Sequence, residues 1–348
     1  MGMGRDVLVL GSNGFIGLHA VDGLRAVGIE PRCGRRARSN ILGLRSRKAQ
    51  MVRADLDAPD TLRTAMAGCG TVLHIAGHYP RTSHDPEGSV ALGLRQLDAA
   101  LDAAAAAGVR RFIYVSSTAT VAPAPGGGPA DESCVFAECP DFGTYHRLKW
   151  AMEQRVAAET RMETATVCPA GCLGPGDLRV GTSALVLALV AGGDPPHPDG
   201  VVSLVDVRDV GVALGRLCVA ETLPPRLLLS GGSHRLQPLL ERIADRYGVA
   251  PPSSPLPAAE AVARADAAER KALATGRRPT MSREIVDLII HGVPIDASRA
   301  ARLLDLRWTP LDRTIDDLVA WARRMRLLPP APSSPTASPS VPLQESRP

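Results

Sequence analysis

Short apolar runs alternate with longer mixed segments through the first half of the chain. Runs at 6–10, 29–34, 50–54, 71–75 and 111–116 read as strands, each too short for a helix and bounded by turn residues. The segments 15–27, 59–67 and 86–107 between them read as helices. A further helix over 145–160 precedes another strand over 163–168. Alternation of this kind predicts an α/β protein whose parallel strands are joined by right-handed helical crossovers.

The pattern loosens after Pro169. The Gly-rich stretch 171–181 reads as a loop, 183–190 as a short helix and 201–205 as a strand. Helices are expected over 208–220, 236–247, 259–274 and 285–290, with a Pro-rich loop at 250–258. Residues 329–348 are rich in Pro and Ser and have little to bury, so a disordered tail is expected there. No internal repeat is visible.

Composition narrows the picture. Aromatic residues are only 3% of the chain against 45% hydrophobic, so the core must be built from Ala, Val, Leu and Ile. A net charge of +4 over 348 residues gives no reason to expect nucleic acid as a partner. Seven cysteines form no CxxC pair, which fits reduced thiols in a cytoplasmic protein. His74 and His78 read as a strand end and a loop, so no metal site is expected. No apolar run approaches a membrane span, no signal peptide is visible, and Asp6 stands where a myristoylation site wants Ser or Thr.

The candidate chemistry begins at the first strand end. Gly11, Ser12, Asn13, Gly14, Phe15, Ile16 and Gly17 join that strand to the next helix. Gly11 permits a tight turn, Gly14 lets a pyrophosphate approach the backbone, and Gly17 lets the helix pack on the sheet. The helix N-terminus then offers free N–H groups to the phosphates. Strand and helix on either side supply the context that a bare glycine triplet lacks. A dinucleotide is therefore expected, in a Rossmann doubly wound sheet. A site selective for NAD ends its second strand with a carboxylate. Here Arg35, Arg36 and Arg38 stand there, which points to the 2′-phosphate of NADP, with NAD the second choice. A solvated basic loop is the competing reading. Asp55, followed by Leu56, is placed either to bond the adenine amino group or simply to cap a turn.

Tyr145 and Lys149 lie four apart, which puts a phenol and an ammonium on one face of a helix. The ammonium, together with an oxidised nicotinamide ring, is expected to lower the phenol's pKa and fit it for proton exchange with a substrate oxygen. Lys149 is also placed to hold the nicotinamide ribose. Ser117 or Thr118, at the end of the fifth strand, could bond the reacting oxygen.

Together these residues resemble the extended short-chain dehydrogenase/reductase family, which includes the NAD-dependent epimerase/dehydratase group. The resemblance spans roughly residues 5–327. It also rests on His74-Ile-Ala76-Gly77, Ser116-Ser117, Glu153, Cys168-Pro169, Leu173-Gly-Pro-Gly-Asp177, Val205-Asp-Val-Arg-Asp-Val210, Ile295-Asp-Ala-Ser-Arg-Ala-Ala-Arg-Leu-Leu and Trp308-Thr-Pro310. It implies that Ala76, Gly77 and Pro169 join the cofactor site. It further implies a division into an NADP-binding Rossmann domain (1–170), mainly a substrate lobe with returning Rossmann elements (171–328), and the tail. Within the family the chain is most similar to dihydroflavonol-reductase-like, hopanoid-associated and 3β-hydroxysteroid-dehydrogenase-like members. Two positions depart from the family pattern. Ser89 stands where an Asn usually supports the lysine through water, and Leu148 where Ser usually precedes it.

The expected activity is NADP-dependent reduction of a ketone, or oxidation of a secondary alcohol, on a small hydrophobic or polyketide- or steroid-like molecule. The alternatives are a sugar epimerase or dehydratase that keeps its cofactor, and a non-catalytic NADP-sensing protein. The 170–200 segment offers only Arg179 to clamp a nucleotide-sugar diphosphate, which disfavours the epimerase. Retention of both Tyr145 and Lys149 disfavours the sensor. A homodimer is one assembly the sequence allows.

Overall fold

The computed structural model describes residues 6–329 other than 81, 83 and 278. The first half runs β1 (Val7–Leu10), α1 (Phe15–Ala26), β2 (Arg32–Arg35), α2 (Leu42–Ser46), β3 (Gln50–Arg53), α3 (Pro59–Met66), β4 (Thr71–His74), α4 (Pro86–Ala106), β5 (Arg111–Val115), α5 (Thr144–Ala157) and β6 (Glu163–Pro169). The second half runs β7 (Gly171–Leu173), α6 (Ala184–Val190), β8 (Val201–Asp206), α7 (Val207–Val219), β9 (Arg226–Leu229), β10 (Gly232–Arg235), α8 (Leu236–Tyr247), α9 (Ala258–Thr275), α10 (Arg283–Ile290), α11 (Ser298–Leu303) and α12 (Leu311–Arg324). Seven strands form one parallel sheet in the order β3-β2-β1-β4-β5-β6-β9, the expected Rossmann arrangement. The order reverses between β1 and β4, so the ligand crevice of such a sheet opens at the carboxyl ends of those two strands.

Both faces of the sheet are covered, and β1 shows how. Val7 and Val9 pack into a core shared with α1 and α7, while Leu8 and Leu10 pack into one shared with α3, α4 and α5. Helix α7 reaches α1 through a glycine seam. A Cβ on Gly23 would lie 1.9 Å from the Gly211 carbonyl oxygen, and one on Gly215 would lie 2.2 Å from that of Gly23. The seam returns a piece of the second half to the nucleotide end of the sheet. A third core beside the three-stranded sheet β10-β8-β7 gathers α6, α8 and α12.

Most expected elements appear, with ends moved by a few residues. The start of the 171–181 stretch is a correction: Gly171–Leu173 is strand β7, paired in parallel with β8, rather than loop. Three residues carry no periodicity, so only the partner strand defines it. Strands β9 and β10 were equally invisible, at four residues each. Residues 330–348 lie outside the described residues, so the expected tail does too. Among the described residues, no helix is long and apolar enough to cross a membrane.

Candidate active site

The glycine turn owes its shape to close backbone contacts. Gly11 has φ +84°, and a Cβ there would lie 2.7 Å from the Ala76 nitrogen. The N–H groups of Ile75 and Ala76 both donate to the Leu10 carbonyl, so the ends of β1 and β4 are locked together. A Cβ on Gly17 would sit 2.1 Å from the Gly11 oxygen, so the start of α1 lies directly on the turn. Gly14 caps α1 with no side chain, and the first turn holds no acidic residue. Such a terminus presents open N–H groups and positive potential to an anion. The turn residues divide their work. Ser12 is fully buried and donates its hydroxyl to the Gly34 carbonyl at 2.9 Å, tying the turn to β2; Asn13 is half-buried, and half-buried Phe15 and Ile16 pack against the core shared by α1 and α7. Beyond β4, Gly77 has open space around its α-carbon, the nearest atom to a Cβ there being Met152 Cε at 3.8 Å.

The arginines lie at the neighbouring strand end. Arg35 closes β2 opposite Arg53 of β3, and its buried Nε has no hydrogen-bond partner among the described residues. Arg36 and Arg38 are exposed. None of the three forms an ion pair among the described residues. An orphaned guanidinium nitrogen beside an open helix N-terminus fits a phosphate-bearing dinucleotide. Asp55 accepts the Asp57 N–H at 3.2 Å and donates its own N–H to Thr61 Oγ1 at 2.9 Å, which is turn-capping geometry. Leu56 packs at the edge of the core beneath α3 and α4. Pro169 is buried at the end of β6, paired with Leu229.

Helix α5 brings the two expected catalytic side chains against β5. The Tyr145 phenol lies near the Ser117 side chain, which holds its pKa down against the effect of burial. Of the two candidate hydroxyls, Ser117 is therefore the one at the phenol. Thr118 opens a short 3-10 turn, Thr118–Thr120, in which its carbonyl accepts the Val121 N–H at 3.1 Å. Lys149 Nζ donates to the Tyr114 hydroxyl at 3.1 Å and to the Val115 carbonyl at 3.2 Å. It lies 5.9 Å from the centre of the Tyr145 ring. Burial pulls Lys149 down to about 8, opposed by the charge of Glu153.

Burial pushes Tyr145 well above its ordinary pKa, with neighbouring Tyr79 adding to the shift and the Ser117 side chain opposing it. In the chain alone burial outweighs the ammonium, whose hydrogen bonds go to Tyr114 and Val115; the expected lowering also calls on the oxidised nicotinamide ring.

Several neighbours escaped the sequence reading. Tyr79 packs its ring 4.9 Å from that of Tyr145. Arg226 of β9 is another: its Nε faces buried Glu153, which the sequence did mark, at 3.3 Å, and Glu153 also accepts from Thr120 Oγ1 at 2.5 Å. Glu284 of α10 accepts the Tyr145 backbone N–H at 2.7 Å. Arg226 and Glu284 come from segments far along the chain, and no local pattern marks them. Ser89 pairs with His78 at 3.2 Å. Leu148 fills the space over Gly93, where a Cβ would lie 2.3 Å from Leu148 Cδ1, so apolar packing of α4 on α5 accounts for its departure from Ser. His74 is fully buried between Phe112 and Tyr114, and burial pulls it down to about 3, so it is neutral.

The glycine turn, Ala76–Gly77, Ser117, Tyr145 and Lys149 thus gather at one edge of the sheet. Comparison with known proteins finds the same framework. The chain is 29% identical over 323 residues to a putative dihydroflavonol 4-reductase of Synechocystis, covering 90% of this chain and 93% of that protein. It is 25% identical over 328 residues to sterol demethylase protein B of Methylococcus capsulatus, covering 92% and 99%. The crystal structure of gox2253 superposes with a TM-score of 0.79 at 26% identity, covering 93% of this chain and 99% of that one. The model of the NAD dependent epimerase/dehydratase family matches residues 7–192, which include the glycine turn, Ser117 and the Tyr145/Lys149 helix. A match over more than half of the chain makes this protein a member of the NAD dependent epimerase/dehydratase family.

Proposed function

We propose that this protein is an NADP(H)-dependent oxidoreductase that interconverts a ketone and a secondary alcohol on a small hydrophobic, polyketide- or steroid-like substrate. The observation that carries the reading is the grouping of Tyr145 with Ser117 and with buried Lys149, 5.9 Å from its ring, at the strand ends that also hold the glycine turn. The open N-terminus of α1 would hold the pyrophosphate, Arg35, Arg36 and Arg38 the 2′-phosphate, and Lys149 the nicotinamide ribose. The nicotinamide supplies or accepts the hydride when bound.

The remaining steps belong to the chain. Ser117 donates a hydrogen bond to the substrate oxygen and fixes it beside the Tyr145 phenol. Tyr145 gives that oxygen a proton in reduction and takes one back in oxidation. Its raised pKa keeps the phenol protonated, which suits reduction. Lys149 keeps a positive charge near the phenol and stabilises the tyrosinate left behind. The similarity to a putative dihydroflavonol 4-reductase favours the reductase. The segment 170–200, apolar apart from a few residues and holding Arg179 as its only Lys or Arg, argues against a nucleotide-sugar substrate.

The test is to follow NADPH absorbance across a panel of ketones and to titrate NADPH and NADH calorimetrically. Turnover with stoichiometric NADPH loss and tighter NADPH binding are expected. Tighter binding of NADH would remove the NADP reading. Isomerisation of a nucleotide sugar without net NADPH loss would replace the reductase with an epimerase.

A further inference from the structure

The first turn of a helix leaves backbone N–H groups without intrahelical acceptors, and a side chain at the N-cap usually takes one. The catalytic helix α5 has no such side chain, because its N-cap is Gly143. A larger residue is excluded there. Gly143 has φ +59°, and a Cβ would lie 2.5 Å from His146 Nδ1. The acceptor comes instead from 139 residues further along the chain, where Glu284 Oε2 takes the Tyr145 N–H at 2.7 Å. Glu284 is 1% exposed. Its helix is held in place independently: Arg283 bonds Asp287 at 2.9 Å and Asp266 of α9 at 3.2 Å, and Val286 is buried against α9.

We propose that Glu284 is a positioning residue, which caps the catalytic helix from the C-terminal half and so fixes where the Tyr145 side chain sits over Ser117. The residue it caps is the one that carries the phenol, so any movement of α10 is passed to Tyr145 directly. A carboxylate also adds a charge. Glu284 is among the groups that raise both Tyr145 and Tyr79, so it favours the protonated, proton-donating phenol. Among the described residues, titratable or charged groups around this corner include Tyr79, Cys172, His146, Lys149, Arg283, Asp287 and His291. The charge effect rests on the reductase reading given above, whereas the cap does not.

The test compares full-length Glu284→Ala and Glu284→Gln with the parent protein. Amide exchange by mass spectrometry reads the cap. Residues 144–147 should exchange about tenfold faster in Glu284→Ala, the size of a lost cap, and near the parent rate in Glu284→Gln, whose amide oxygen still accepts. Steady-state kinetics read the phenol. Glu284→Ala should lose about tenfold in kcat with NADPH affinity changed less than about twofold. Glu284→Gln should keep most of its kcat, while the pH at which NADP⁺-dependent alcohol oxidation rises moves down, because a neutral neighbour lets the phenol ionise sooner. Unchanged exchange at 144–147 in Glu284→Ala overturns the cap. An oxidation profile in Glu284→Gln that matches the parent overturns the charge effect. A parent protein that turns over no ketone or alcohol removes the reductase reading, and the exchange comparison then decides the cap alone. Should Glu284→Ala fail to fold, Glu284→Met, of similar length but with no oxygen acceptor, takes its place: faster exchange at 144–147 supports the cap, and the parent rate there overturns it.

Discussion

The two ends of the proposed cofactor groove carry charge of the same sign in opposite surroundings. At the adenine end, Arg36 and Arg38 are exposed and Arg35 keeps only its Nε buried. At the catalytic end, Lys149 is enclosed by Tyr114, the Val115 carbonyl and Glu153, and burial has pulled it down to about 8. The exposed cations are cheap to keep and can be exchanged without disturbing the core, so that end is free to set which cofactor is preferred. The buried ammonium is expensive in stability and is held by partners on two elements. That end is bound to one chemistry. Substitutions at the two ends should accordingly differ in kind as well as size.

The largest effect is expected where the proton moves. Tyr145→Phe removes one oxygen from a site already packed by Tyr79 and should leave the fold and NADPH affinity nearly unchanged. Loss of a general acid costs about 10²–10⁴-fold, and kcat should fall within that range. Retention of more than about a tenth of the parent rate on a verified substrate would remove Tyr145 from the mechanism.

Lys149→Met sharpens the contrast, because it should separate stability from activity. Turnover should be lost and NADPH binding weakened, yet the protein should melt higher. In the folded protein the lysine titrates near 8 against about 10.4 in the unfolded chain. Below pH 8 both states hold the proton, and the folded state bears the whole desolvation penalty, at most about 3 kcal/mol. Losing two hydrogen bonds offsets part of the relief, leaving about 1 kcal/mol of net stabilisation. Between pH 8 and about 10.4 the native lysine sheds its proton while the unfolded one keeps it, so the advantage of Met should shrink as pH rises. Denaturant melts at pH 7 and pH 9.5 check this, and a less stable Lys149→Met at pH 7 would mean that the hydrogen bonds outweigh the desolvation.

The same contrast explains what the sequence made legible. The adenine end is local: the turn Gly11–Gly17 and the arginines after β2 lie within one βαβ unit, and spacing alone marks them. Most of the main sheet was legible for the same reason: β1, β4, β5 and β6 carry apolar runs, and β2 and β3 fall between helices in the alternation, whereas β9 has no such neighbour pattern. The catalytic end is assembled from distance. Tyr145 and Lys149 sit on one helix turn and could be read, but Glu284 and Tyr79 reach Tyr145 from a later helix and an irregular loop, and Arg226 reaches Glu153 from a later strand. The direction of the phenol's shift could not be read either. It is set first by burial of the phenol and then by Tyr79, and neither is visible in local spacing. Which of Ser117 and Thr118 lies near the phenol likewise depends on the fold, which brings the Ser117 side chain to Tyr145.

The smallest effects are expected at the exposed end, and they should be graded. Arg35→Ala removes a group whose buried Nε would gain its missing acceptor from a 2′-phosphate. A hydrogen bond to a charged group contributes about 1.5–3 kcal/mol, so NADPH affinity should fall by roughly tenfold or more. Arg36 and Arg38 are exposed, and ion pairs of that kind contribute about 0.2–1 kcal/mol. Each alanine variant should therefore lose less than about fivefold. Salt separates the two classes, because screening at 0.5 M and above acts mainly on exposed charges. The Arg36 and Arg38 effects should fade there while that of Arg35 persists. NADH, which lacks the phosphate, should bind all three variants as it binds the parent. Calorimetric titrations of both cofactors at low and high salt decide the matter. Equal losses for the three arginines at every salt concentration would mean that burial of Arg35 has no bearing on recognition. Losses that are the same for NADH would mean that these arginines hold the pyrophosphate or nothing specific, and the preference for NADP would need another source.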